Sequence, residues 1–225
     1  MRQAVYTGTR NVYRDMVTAC KSLVYHRGAD AIYFLIEDDQ FPEQLPDIVQ
    51  TINVSDQKFF WHDGPNYENR WTYMTLMKAA VPMMFTGRVL VLDIDTVVDG
   101  NIDALWKLPK MRCPLYMARE IGRTEEYYNA GVMLMDTSQL IHEAQEIIRL
   151  LNKTKLAFNE QDAINQVMNG RISMLPPEYN VSNWTVSPAG RAKIVHYAAV
   201  RHWQTEPLWQ RYASMSWLEA LRGAE

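Results

Sequence analysis

Two carboxylates and an imidazole stand at the ends of apolar runs. Asp93-Ile94-Asp95 follows Arg88-Val-Leu-Val-Leu92, and His196 closes Lys193-Ile-Val-His196. Side chains alternate along an extended chain, so Asp93 and Asp95 are expected on one face with Ile94 on the other. Two acids this close repel, and a divalent cation relieves the repulsion. Two hard oxygen donors plus one imidazole suit Mn²⁺ or Mg²⁺, with positions open for phosphate oxygens. The carboxyl ends of strands are also where open α/β sheets place ligands. The plain alternatives are a solvated acidic turn and a satisfied core histidine. The other four histidines, His26, His62, His142 and His202, have no comparable setting.

The elements that must position these groups read as alternating strands and helices. Gln3–Thr7 predicts a first strand, Asn11–His26 an amphipathic helix, Ala31–Ile36 a strand buried on both faces and Ile48–Val54 another strand. Asn69–Ala80 is expected to be helical and Arg88–Leu92 to be a strand. Asp99-Gly100-Asn101 marks a turn, with Asn101 able to cap a short helix through Trp106. Tyr127–Met135 reads as a strand interrupted at Asn129-Ala130-Gly131. Asp136 is placed to cap a following helix, with Gln139 in the capping-box position. The buried stripe of that helix is Leu140, Ile141, Ala144, Ile147, Ile148 and Leu151. Glu160–Met168 predicts a helix, Lys193–His196 a last strand and Thr205–Leu221 a last helix. The β-α-β alternation argues for a parallel sheet covered on both sides. No repeat or linker interrupts residues 1–225, which read as one domain.

Composition narrows the function. The 225 residues are 48% hydrophobic and 22% charged, with a net charge of −3. That is ordinary globular composition, and it lacks the basic excess of a chain that lives on nucleic acid backbones. Cys20 and Cys113 form no CxxC or metal spacing and are expected to be reduced. Met1–Arg10 has no apolar signal region, and no run approaches the 18 or so residues a membrane span needs. The expectation is a cytoplasmic protein without a transmembrane segment.

At this point ordered blocks resemble a known family. Arg88-Val-Leu-Val-Leu-Asp-Ile-Asp-Thr-Val-Val98 with Asn101-Ile-Asp-Ala-Leu-Trp106 is similar to glycosyltransferase family 8, the retaining family of glycogenin and bacterial lipopolysaccharide galactosyltransferases. Tyr128-Asn129-Ala130-Gly131-Val-Met-Leu-Met-Asp136 resembles its NxGvmlmd strand. Glu160-Gln161-Asp162-Ala-Ile-Asn165 resembles its DQDxxN helix start. Ile194-Val-His196-Tyr197 with Arg201-His202-Trp203 resembles its HFxGxxKPW ending. Val5-Tyr6-Thr7-Gly8-Thr9-Arg10-Asn11-Val12-Tyr13 is similar to its first strand and loop. The sequence departs from the pattern where the family glycine is Ala199, the proline is His202, the lysine is Arg201 and the first acid of DQD is Glu160.

The resemblance implies a GT-A fold, an α/β architecture with a Rossmann-like, mostly parallel central sheet flanked by helices. It implies a hexosyltransferase with a UDP-sugar donor, UDP-glucose or UDP-galactose, and Mn²⁺ (or Mg²⁺) held by Asp93, Asp95 and His196. Thr7, Thr9 and Tyr13 would surround the uridine, while Ile94, Arg201 and Lys78 would serve the nucleotide and its phosphates. Lys78 is otherwise a solvated surface lysine. Gln161, Glu160, Asp162 and Asn129 are the candidates beside the anomeric carbon. Glu120 has a looser match. Because Gln161 is a poor nucleophile, a front-face retaining reaction is implied in place of a carboxylate double displacement. The acceptor is a glycan, lipid-linked or protein hydroxyl. The alternatives are a UDP-sugar hydrolase or nucleotidyltransferase on a related fold, and a UDP-sugar-binding pseudoenzyme.

Overall fold

The computed structural model describes residues 1–68, 71–109, 113–123 and 125–223. The strands are β1 (Gln3–Thr7), β2 (Ala31–Ile36), β3 (Val49–Asn53), β4 (Arg88–Leu92), β5 (Thr96–Val98), β6 (Leu115–Arg119), β7 (Tyr128–Asp136), β8 (Ser173–Met174) and β9 (Ile194–His196). The α-helices are α1 (Tyr13–Tyr25), α2 (Met77–Met84), α3 (Asp103–Trp106), α4 (Ile141–Lys153), α5 (Asn159–Val167), α6 (Pro207–Ala213) and α7 (Trp217–Arg222).

Seven strands form the central sheet in the order β3-β2-β1-β4-β7-β6-β8. Neighbours run parallel except that β7 is antiparallel to both β4 and β6. The apolar runs are continuous because both faces are covered. Ala4, Tyr6, Leu90, Leu92, Val132 and Leu134 enter one core, which includes residues of α1 and α6. Val5, Val89, Val91, Met133 and Met135 enter the other, with residues of α2, α4 and α5. The mostly parallel α/β sheet expected from the alternation is therefore present.

Several local expectations are corrected. Asp93, Ile94 and Asp95 are not on a strand, because β4 ends at Leu92 and the acids occupy a turn. The N–H and the Oγ1 of Thr96 both donate to the Asp93 carbonyl, at 3.2 and 2.7 Å, and this folds the turn. The strand ending in His196 does not join the central sheet. It pairs antiparallel with β5, Thr96 opposite His196, as a separate two-stranded ribbon. The helix expected over Asn69–Ala80 starts later. Asn69 and Arg70 lie outside the described residues, Tyr73–Thr75 is a 3₁₀ turn and α2 runs through Pro82. Pro82 forfeits one helical hydrogen bond, but the buried Met77, Ala79, Ala80 and Val81 hold the segment in place. Asp136 makes no cap hydrogen bond, since a 3₁₀ turn over Thr137–Gln139 delays α4. Ile141 is accordingly exposed. The last helix is two helices, and Ser216 opens the second with a capping box to Glu219.

Candidate active site

The acids and the imidazole meet at the edge of the sheet. The His196 Nε2 lies 3.3 Å from an Asp95 carboxylate oxygen and 3.8 Å from one of Asp93. One donor atom from each of the three falls within 4.8 Å of the others. Ligands at 2.0–2.6 Å from one cation sit roughly 3 Å apart on adjacent corners, so the residues fit a divalent ion. Burial disfavours charge on Asp95, yet the neighbouring His196 holds its carboxyl below the usual carboxylate range. Burial likewise disfavours the His196 imidazolium, but Asp95 and Asp93 outweigh it and raise the pKa.

Gly131 explains how the ring gets so close. A Cβ at that position would lie 2.0 Å from the His196 Cε1 and 2.5 Å from Nδ1. No real side chain fits, so the imidazole rests on bare backbone. The Gly131 carbonyl also accepts from the Asp93 N–H at 2.8 Å. This junction is where the β6–β7 register shifts, with Met117 opposite Met133 but Ala118 opposite Asn129. The interruption expected at Asn129–Gly131 is thus a bulge within an unbroken strand.

Lys78 is not a surface lysine. Its side chain is 3% exposed, and its Nζ lies 2.7 Å from Asp93 and 2.7 Å from Glu160. Burial opposes its charge, but the two carboxylates prevail and raise its pKa. Burial pushes the Glu160 carboxyl up, and Lys78 offsets that only in part. Glu160 is therefore turned inward onto Lys78, and the pair ties α5 to the acidic turn.

The next two residues of that helix start behave differently. The Gln161 Oε1 accepts the Ala130 N–H at 2.9 Å and its Nε2 donates to Glu120 at 3.1 Å. Asp162 accepts from the Tyr127 hydroxyl at 2.5 Å and from the Phe158 N–H at 2.8 Å. Asn129 is buried and donates to Glu120 at 3.1 Å. Glu120 thus gathers Gln161 and Asn129 on one oxygen, and Arg123 contacts the other at 3.4 Å. The structure brings together Asp93, Asp95, His196, Lys78, Glu160, Gln161 and Asn129.

Of the nucleotide-side candidates, Lys78 and Ile94 stand in that cluster, while Thr7, Thr9 and Tyr13 come from the end of β1 and the segment leading into α1, and Arg201 from a loop after β9. Tyr13 is 2% exposed, so its ring offers no face to a base here. Its hydroxyl donates to Asp38 at 2.9 Å and accepts the Glu37 N–H at 3.0 Å. Arg10 completes the tie, with its N–H on Glu37 at 2.9 Å and its guanidinium paired with Asp38. Arg10 and Tyr13 together hold the Glu37–Asp38 loop. The Arg10 guanidinium and the Tyr13 hydroxyl hold the Asp38 carboxyl below its ordinary value. Thr7 is half-buried at the end of β1, and the Thr9 hydroxyl bonds Asn11. Ile94 packs partly against the core between the two acids. Arg201 is exposed, on a loop where Ala199 and His202 both adopt φ of +58°.

Two residues escaped the sequence reading. Asn180 is fully buried, and its Oδ1 lies 3.0 Å from the His196 Nδ1. Asp15, in the first turn of α1, approaches Asp95 closely enough to share its field, and burial raises its pKa. Neither stands in a motif, and only the folded chain brings them to the site. Among the described residues no helix is long and apolar enough to cross a membrane.

Residues 4–207 match the family model for glycosyl transferase family 8. The glycosyltransferase GlyE of Streptococcus pneumoniae serotype 4 is 27% identical over 195 residues, covering 80% of this chain and 47% of that protein. The chain thus spans about half the length of the curated relative it matches. The crystal structure of GlyE from S. pneumoniae TIGR4 superposes with a TM-score of 0.74 at 21% identity, covering 98% of this chain and 62% of that one. The galactosyltransferase LgtC, in complex with donor and acceptor sugar analogs, gives 0.71 at 15% identity, covering 94% and 95%. These likenesses show the fold, which is GT-A. With a family match that runs from the first strand to the helix opened by Pro207, the chain belongs to glycosyl transferase family 8.

Proposed function

We propose that this chain carries out metal-dependent retaining hexosyl transfer from a UDP-sugar, UDP-glucose or UDP-galactose, to a hydroxyl of a glycan, lipid-linked or protein acceptor. The observation that carries the reading is the convergence of Asp93, Asp95 and His196 at a point joined by hydrogen bonds, through Asn180 and Asn129, to Glu120 and Gln161. A cation such as Mn²⁺, held by Asp93, Asp95 and His196, would supply positive charge where the leaving diphosphate gathers negative charge. Arg201, exposed on its loop, would pair with the same phosphates, whose oxygens suit its planar fork. Lys78 holds Asp93 in place from below and compensates the local excess of acids.

On the sugar side, Gln161 would stabilise the cation developing at the anomeric carbon, and the Glu120 carboxylate would add negative potential there. Three donors fix that carboxylate, which suits an electrostatic role better than covalent attack. The acceptor hydroxyl then bonds to the anomeric carbon on the face the diphosphate leaves, and its proton passes to the departing phosphate oxygen. Asn129 and Asp162 support these groups, and Thr7, Thr9 and the Tyr13-braced Glu37–Asp38 loop serve the uridine.

The test is UDP release from a panel of UDP-sugars with Mn²⁺ or with EDTA, wild type beside Asp95→Ala. Metal-dependent release from one sugar, abolished in the variant, is the expected result. UDP that binds with metal but is never released from any sugar, with or without a glycan acceptor, would favour the pseudoenzyme. Failure to bind UDP would remove the donor assignment.

A further inference from the structure

We infer that Asn180 fixes the tautomer of His196, so that the ring carries its proton on Nδ1 and keeps Nε2 free to face Asp93 and Asp95. A chain of amides leads to the ring, and its two ends permit only one direction. The Gly131 backbone N–H can only donate, and it points at the Asn129 Oδ1 at 3.0 Å. The Glu120 carboxylate accepts, and the Asn129 Nδ2 donates to it at 3.1 Å. Asn129 is therefore oriented from both sides, with its carbonyl oxygen toward Gly131. That same oxygen accepts from the Asn180 Nδ2 at 3.0 Å. The Asn180 carbonyl oxygen is then left facing the His196 Nδ1 at 3.0 Å. A carbonyl oxygen cannot donate, so Nδ1 must.

Reversing either amide carries a penalty the site does not offset. A flipped Asn180 would set its oxygen against the Asn129 oxygen. A flipped Asn129 would set its NH₂ against the Gly131 N–H and its oxygen against Glu120. Asn180 is 0% exposed and Asn129 6%, so water cannot rescue a mismatched pair. Asn180 is a positioning residue. It touches no reacting atom and acts by deciding which imidazole nitrogen holds the lone pair. The chain also links the ring to Glu120, and hence to Gln161, so a shift on the sugar side is passed to the imidazole through two amides.

The consequence for a cation rests on the function proposed above, whereas the tautomer does not. The first measurement is a long-range ¹H–¹⁵N spectrum of metal-free protein, at a pH where the imidazole shifts have reached their neutral plateau. Nδ1–H is expected in wild type, and Nε2–H would overturn the inference. The second is Mn²⁺ binding followed by the free-ion EPR signal. Asn180→Leu, close in volume but without polar atoms, should weaken Mn²⁺ by about 10- to 100-fold, the range typical of partners behind a metal ligand. Asn180→Asp also keeps an acceptor for Nδ1–H, but it sets a second oxygen against the Asn129 oxygen where the amide donated, so its affinity should fall between wild type and Asn180→Leu. Equal affinity in wild type and Asn180→Leu would overturn the inference. If Asn180→Leu does not fold, the wild-type spectrum decides. Wild-type protein with Nδ1–H but no Mn²⁺ binding would sink the metal reading and leave the role of Asn180 standing.

Discussion

Lys78 shows how one buried charge organises its surroundings. It neutralises two carboxylates from different elements, so its loss strands both. Lys78→Met should cost about 3–5 kcal/mol of stability, the usual penalty for breaking a buried pair by removing one partner, measured by urea denaturation. A loss under about 1 kcal/mol would mean that water reaches Asp93 and Glu160 once the lysine is gone. Gly131→Ala tests a different kind of closeness. A methyl 2.0 Å from the ring carbon must displace His196 or the β7 backbone. Mn²⁺-dependent UDP binding should fall at least about tenfold, while stability drops by about 1–3 kcal/mol as in other overpacked sites, read by calorimetry. Unchanged binding would mean that His196 is not a ligand. At Gln161 the expectation concerns a ratio: Gln161→Ala should cut turnover far more than UDP affinity, and equal losses would remove it from the sugar side. At this scale the acids, His196, Gln161 and Asn129 were visible in the sequence because each stands in a motif. Asn180 was not, since its importance lies in two partners far away in the chain.

Elements record where local rules hold and where tertiary packing overrides them. The limits of β1, β2 and β4 follow directly from their apolar runs, because strands covered on both faces tolerate little else. Strand β6 is absent from the expected elements, although Leu115-Tyr-Met-Ala is an apolar run of the same kind. Strand β8, two residues long, carries too little pattern to detect. The acidic turn defeats periodicity for another reason: alternation predicts a shared face, but Thr96 creates the turn by capturing the Asp93 carbonyl. The loop bearing Arg201 offers a prediction at this scale. Ala199 sits at φ +58°, a conformation that costs an L-residue roughly 1–2 kcal/mol and glycine almost nothing. Ala199→Gly should therefore raise the melting temperature by about 2–4 °C for each kcal/mol recovered. A lower melting temperature would mean that the methyl group packs usefully.

Across the whole molecule, α1 is the spine on which the C-terminal helices close. The His26 Nε2 meets the Tyr212 hydroxyl at 3.0 Å, joining the end of α1 to α6. Burial lowers the His26 pKa; Asp99 opposes that shift and Arg211 adds to it. The unfolded chain thus binds this proton more readily than the folded one, so its contribution to stability is full above the ordinary imidazole pKa and is lost as pH falls through it. The urea midpoint should drop between about pH 7.5 and about pH 5.5, and His26→Gln should flatten that drop. An equal drop in the variant would assign it to other groups. The ribbon of β5 and β9 has a consequence of a different order. All seven strands of the central sheet are complete by Met174, with Asp93 and Asp95 already at its edge, whereas the imidazole arrives only when Ile194–His196 pairs with Thr96–Val98. During synthesis every strand of the sheet is made before the imidazole is. A chain halted in between would hold every sheet strand and both acids, but neither the third ligand nor the Trp209 and Tyr212 side chains of one core, so the segment that brings the imidazole also closes that core.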